Sequence, residues 1–169
     1  KNLTDVTTLL SKNNNKPWFD AHRKNYDAAK KDFEELIQQV ITAHGKNDPQ
    51  TADLVAKNCM FRINRDVRFA KDKSPYKTNF GASINPGGKK SIQAGYYIHI
   101  EAGKSFAGGG LFMPQPPELK KVRQEIDYNL ADFKAIIQDK KFNSIFGSLS
   151  NDADLKLSRV PQGFEKDSP

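Results

Sequence analysis

Apolar residues recur at two different periods along the chain, and the change of period divides it. Residues 4–12 place Val6, Leu9 and Leu10 at helical spacing before the polar run Lys12 to Lys16 ends the pattern. Beyond Pro17, a residue tolerated in a first helical turn, Tyr26, Ala29, Phe33, Leu36, Ile37, Val40 and Ile41 repeat at steps of three and four. This predicts one long amphipathic helix over residues 18–44, with Arg23, Lys24, Lys30, Lys31 and Glu34 on its polar side. Gly45 to Gln50, rich in Gly, Asn, Asp and Pro, predicts a turn.

From Cys59 the period falls to two. Phe61, Ile63, Val67 and Phe69 alternate with Arg62, Asn64, Asp66 and Arg68, which predicts a half-buried strand. Residues 76–85 alternate again, with Tyr76, Thr78, Phe80, Ala82 and Ile84 opposing Lys77, Asn79, Gly81, Ser83 and Asn85. After Pro86-Gly87-Gly88, Ile92, Ala94, Tyr96, Ile98 and Ile100 oppose Gln93, Gly95, Tyr97, His99 and Glu101. Gly103-Lys104 suits a tight hairpin into the glycine-rich stretch Ser105–Met113. Short connections favour antiparallel pairing, because parallel strands need crossovers of about a dozen residues. Pro116-Pro117-Glu118 opens a helix carrying Leu119, Val122 and Ile126. Asn129 could cap another with Leu130, Phe133, Ile136 and Ile137, and Phe142–Phe146 forms a last turn closed by Gly147. The fold class expected is therefore α+β: an antiparallel sheet of about four or more strands over residues 59–113, between N-terminal helices and C-terminal helices spanning residues 117–147. Residues 148–169 read as polar and irregular.

A chain of 169 residues fits one domain with its own core. One cysteine, Cys59, closes no internal disulfide and predicts a reduced, cytoplasmic protein in which it is a small buried apolar residue. No apolar run has the length of a membrane span, and no signal peptide is visible.

The net charge of +7 is unevenly placed. Residues 1–56 hold eight basic and eight acidic side chains, and residues 91–169 hold ten of each. The whole excess lies in residues 57–90, where Lys57, Arg62, Arg65, Arg68, Lys71, Lys73, Lys77, Lys89 and Lys90 face only Asp66 and Asp72. The polar parities of the strands collect Arg62, Asn64, Asp66, Arg68, Lys77, Asn79, Ser83, Gln93, Tyr97, His99 and Glu101 on one face if the pleats match. Such a face is either an ordinary solvated surface or a binding surface whose guanidiniums suit phosphate or carboxylate. Asp66 and Asp72 could orient the neighbouring basic groups, leaving others free for an anion.

Enzymatic signatures mostly fail. Ala102-Gly103-Lys104-Ser105 imitates the end of a phosphate-binding loop, but position 98 is Ile and a strand follows. Gly108-Gly109-Gly110 lacks dinucleotide-binding spacing and suits close backbone packing. His99-Ile100-Glu101 sets two potential metal ligands on one strand face, but a third would have to be His22 or His44 on the long helix, so we expect no metal and no cofactor. No serine-hydrolase elbow is present. Nucleic acid fits a basic segment interleaved with Phe61, Phe69, Tyr76 and Phe80, yet their parity makes these aromatics core residues rather than stacking platforms.

Asn14-Asn15-Lys16-Pro17-Trp18-Phe19-Asp20 with Arg23 and Tyr26, the block Arg65–Gly81, Gly95-Tyr96-Tyr97, and Gly108-Gly109-Gly110-Leu111 with Met113-Pro114 together resemble the family known as domain of unknown function 2461, over nearly the whole chain. Its motif positions match at Trp18, Phe19, Arg23, Arg65, Asp66, Arg68, Phe69, Asp72, Lys73, Pro75, Tyr76 and Lys77. The resemblance brings no assigned activity. It implies that this chain, which begins without methionine and stops at Pro169, lacks a C-terminal continuation. From these readings we expect binding of a phosphate- or carboxylate-bearing small molecule by Arg62, Arg65, Arg68, Lys73 and Lys77, oriented by Tyr97 and His99. The alternatives are a nucleic-acid or protein-binding adaptor without catalysis, and an enzyme using His99 and Glu101.

Overall fold

A computed structural model describes residues 3–150, 152–153 and 157–165. The last residues, 166–169, and the continuation expected beyond them lie outside the described residues. Two compact units are distinguished, Lys1–Phe112 and Met113–Pro169.

The first unit begins with α1 (Leu3–Lys12) and α2 (Lys16–Ala21), continues through α3 (Arg23–His44) and α4 (Ala56–Cys59), and ends in β1 (Phe80–Ile84), β2 (Gly95–Ile100) and β3 (Phe106–Gly110). The Asn15 side chain caps α2 by accepting from the Trp18 N–H, and Pro17 occupies the first turn. The expected single helix over residues 18–44 is broken at His22. There the backbone leaves helical geometry, and the ring stacks on Trp18 while its Nδ1 lies 2.8 Å from the Trp18 carbonyl. A side chain competing for that carbonyl loosens the turn.

Within this unit Ala29, Phe33, Ile37 and Ile41 form the buried stripe of α3, packed with Phe80, Ala82 and Ile84 of β1 and with Val6, Leu10, Phe19 and Tyr26. The sheet is an antiparallel meander in the order β1-β2-β3. Phe80 pairs with Ile100, Ala82 with Ile98 and Ile84 with Tyr96 on the helix-covered side, while Gly81 pairs with His99 and Ser83 with Tyr97 on the other. Asn85 fastens the β1–β2 connection: its carboxamide donates to the Gln93 carbonyl, and its own carbonyl accepts from the Gly88 N–H. Gly87 and Gly88 both adopt positive φ there, as the turn requires.

Three strands form among the described residues, not four or more. The stretch expected as a strand from Cys59 to Phe69 starts instead in the last turn of α4. Its backbone meets β1 at an isolated bridge, Met60 to Ala82, and a second bridge, Asn64 to Tyr76, ties it to the chain before β1. Met60 enters the core and Phe61 turns out, 42 % exposed, Ile63 stays inward as expected, and Phe69 is 95 % exposed. Phe61 and Phe69 therefore lie outside the core expected of them, whereas Tyr76, Phe80 and the fully buried Cys59 lie inside it. The Cys59 thiol is pushed up by burial.

The second unit carries α5 (Pro116–Tyr128), α6 (Leu130–Gln138) and α7 (Lys140–Phe146), matching the C-terminal helices expected. Asp139 caps α7 through the Lys141 and Phe142 N–H groups. Asn129 precedes α6 but its side chain donates back to Glu125 instead of capping. Among the described residues no helix is long and apolar enough to cross a membrane.

Candidate functional site

The side of the sheet turned away from α3 carries a short ordered set of polar and aromatic groups. A row runs across it through Phe61, Gly81, His99 and Phe106: the Phe61 N–H donates to the Gly81 carbonyl, Gly81 pairs with His99, and His99 pairs with Phe106. The His99 ring stacks on Phe106, with centroids 4.9 Å apart and planes 16° from parallel. Gly81 is the gap in the row. A Cβ there would stand 2.7 Å from the Tyr97 hydroxyl, so the absent side chain is what lets that hydroxyl lie over the strand.

Hydrogen bonds order the set. Tyr97 Oη lies 3.3 Å from His99 Nδ1, as does the Asn79 carboxamide nitrogen, and His99 Nε2 lies 3.2 Å from Glu101 Oε2. A carboxylate can only accept, which puts a proton on Nε2 and leaves the single lone pair of Nδ1 shared between the Tyr97 hydroxyl and the Asn79 amide. Thr78 donates to the other Glu101 oxygen at 2.8 Å; this bond first, and the His99 bond with it, holds the carboxyl below its ordinary value. Burial pushes the Tyr97 hydroxyl up, so it is kept as an O–H donor.

The basic residues divide into two groups. Arg65 pairs with Asp72 and also donates to the Ser74 carbonyl, Arg68 makes a two-pronged contact with Asp66, and Lys73 donates to the Val67 and Arg68 carbonyls. These three brace the loop between Asn64 and Tyr76. The Asp72 carboxyl is held far below its usual range, first by Ser74 and then by Arg65. Lys77 and Arg62 belong to the second group. The Lys77 ammonium stands 5.3 Å above the Phe61 ring, and Phe61 is 6.3 Å from the Tyr97 ring. Burial and then the nearby Arg62 charge push Lys77 below its ordinary value. Neither cation has a carboxylate within ion-pairing distance among the described residues.

Phe61 and Arg62 also line an open groove of about 380 Å³ against the α2–α3 segment, whose wall carries Lys16, Asp20, Arg23 and Lys30. Of the seven ligand residues expected, the fold thus sets Lys77 and Tyr97 against Phe61, with Arg62 near Lys77 and His99 bonded to Tyr97, and turns Arg65, Arg68 and Lys73 to holding the loop. Reading the sequence missed Phe61, Gly81, Phe106 and the Thr78 hydroxyl, as well as the groove wall. Alternation places Phe61 and Thr78 with the core, and no local signal marks a glycine as the floor under a tyrosine of the next strand. Among the described residues no set of three His, Cys, Asp or Glu side chains comes together that could hold a metal ion.

Gly81→Ala tests the floor. The added methyl is expected to push the Tyr97 hydroxyl off His99 Nδ1, for a stability cost of about 1–3 kcal/mol, since the obstructing atom ends a rotatable side chain. Imidazole ¹⁵N shifts read beside a thermal melt check it; an unchanged Nδ1 signal is the contrary result.

A family model described as conserved hypothetical protein (DUF2461) matches residues 4–169. No curated protein and no solved structure matches the chain.

Proposed function

This chain belongs to the DUF2461 family of conserved hypothetical proteins, and we propose that it binds an anionic, phosphate- or carboxylate-bearing small molecule at Lys77 and Arg62, against the Phe61–Tyr97–His99 face. One observation carries the reading: Lys77 is a part-buried ammonium beside a second cation, Arg62, and among the described residues neither has a carboxylate within ion-pairing distance, Asp66 meeting the Arg62 charge only from farther off. Ammonium groups withdrawn from water are stabilised by a counter-charge, and a ligand anion supplies one. The Phe61 ring offers a flat surface under the ammonium, and the Tyr97 and Asn79 groups farther along the face fix orientation.

Calorimetry with phosphate, sulfate and nucleotides tests the reading. Binding is expected to weaken about tenfold or more, ~1.4 kcal/mol, in Lys77→Met and in Arg62→Met, and to persist in Lys73→Met, whose ammonium is already spent on backbone carbonyls. No binding, or equal loss at Lys73, counts against it. The exposed Phe69 beside Arg68 favours the adaptor alternative, which a salt series with single- and double-stranded nucleic acid separates by its steep slope.

A further inference from the structure

Tyr97, His99 and Glu101 sit at alternate positions of β2 and the strand end after it, so one face of one strand carries all three. Their order is that of an activated nucleophile: a hydroxyl donating to an imidazole nitrogen, and the imidazole donating from its other nitrogen to a carboxylate. A plain solvated face needs none of the supports found here. Thr78 takes the free Glu101 oxygen, Phe106 holds the plane of the His99 ring, Asn79 fixes its tautomer, and Gly81 makes room for the hydroxyl.

We propose that Tyr97 is a nucleophile, His99 its general base and Glu101 the group that orients His99, acting on a phosphate ester. The substrate class rests on the anion reading above. Of the two groups that reading allows, a carboxylate carbon bearing two anionic oxygens resists attack, whereas the phosphorus of an ester is both charged and electrophilic. An anion held at Lys77 and Arg62 beside Tyr97 is therefore a reacting group only if it is phosphoryl. Tyr97 Oη forms a bond to phosphorus as the bond to the alcohol oxygen breaks, and the phenolic proton passes to His99 Nδ1. The alcohol leaves in line, on the side of phosphorus opposite Tyr97, and draws its proton from solvent water, while the imidazolium keeps its Nε2–H on Glu101 and the Asn79 amide turns to accept from Nδ1. Water then attacks the phosphotyrosine from that opposite side and releases one proton to solvent, and the imidazolium Nδ1 returns its proton to the Tyr97 oxygen, so that ester and water become alcohol and phosphate. Lys77 and Arg62 face the charge on the phosphoryl oxygens.

An uncharged probe separates this chemistry from anion binding. Benzenesulfonyl fluoride forms an aryl sulfonate with a tyrosine oxygen and releases fluoride, and it has no use for Lys77 or Arg62. Peptide mapping should find Tyr97 labelled faster than Tyr128, although Tyr128 is 76 % exposed. His99→Asn should slow Tyr97 labelling by about a hundredfold or more and Glu101→Gln by less, with Tyr128 labelling unchanged. Labelling of Tyr97 no faster than Tyr128, or indifferent to His99→Asn, overturns the nucleophile assignment even if phosphate binds. The second arm is nitrophenolate release from p-nitrophenyl phosphate, expected in the native chain and lost in Tyr97→Phe. No release with labelling intact overturns the phosphate-ester assignment, and loss of phosphate binding in calorimetry marks failure of the anion reading instead.

Discussion

Phe33→Ala should destabilise the first unit by about 3–5 kcal/mol, the largest effect expected of any single truncation here. Phe33 has no exposed surface and lies at the middle of the α3 stripe, with its ring 5.4 Å from that of Phe80 on β1. Phe80 in turn stacks on Tyr26, also of α3, so Phe33 supplies one of two aromatic contacts between this helix and β1. Removing it takes away the burial of an aromatic side chain and leaves a cavity that a helix and a sheet cannot both close over. The same change at Phe69, which is 95 % exposed, should stay within about 0.5 kcal/mol. Denaturant unfolding of both variants checks the pair. Equal effects would mean that Phe69 is covered in solution or that the α3–β1 core is looser than its burial implies.

Asn14→Asp should cost about 1–3 kcal/mol and loosen the Tyr76 amide. The Asn14 side chain acts as a substitute for a neighbouring strand: its Oδ1 accepts from the Tyr76 N–H at 3.0 Å and its Nδ2 donates to the Tyr76 carbonyl at 2.8 Å. Aspartate keeps the shape and the acceptor but turns a carboxylate oxygen toward that carbonyl, so a part-buried acceptor loses its donor and gains a repulsive neighbour. Because Tyr76 precedes Lys77, the position of the candidate anion site should loosen with it. Amide exchange at Tyr76, followed beside denaturant unfolding, is the direct measurement; protection equal to that of the native chain would contradict the role given to Asn14.

Much of the open sheet face was legible because period two in an antiparallel strand is a strong constraint. Tyr97, His99 and Glu101 could share a face only if β2 formed, and the flanking glycine turns made it form. The amphipathic stripe from Tyr26 to Ile41 was equally plain. The segment after Cys59 was misread for a physical reason: alternation of Phe61, Ile63, Val67 and Phe69 with charged residues does not distinguish a strand from an irregular chain leaving one helical turn. Ile63 keeps its inward place while Phe61 and Phe69 turn out, because without a continuous ladder no pleat fixes the facing of each residue. Arg65, Arg68 and Lys73 looked like ligand groups because composition counts charges without their partners. Their partners, Asp72, Asp66 and two backbone carbonyls, were within reach in sequence, but only the closed loop shows that they are taken. The break at His22 left no trace in the pattern, since the apolar steps continue through it.

Fully buried Cys59, with its thiol pushed up by its surroundings, has a use beyond packing. A reagent for thiolates meets no reactive sulfur in the closed protein, and the chain has no second cysteine to confuse the signal. Each sulfur that reacts therefore counts one molecule in which the junction of α4 with the sheet has opened. The molecule carries its own clock for that opening, and where reclosing outpaces the reagent, the rate of the clock is a free energy.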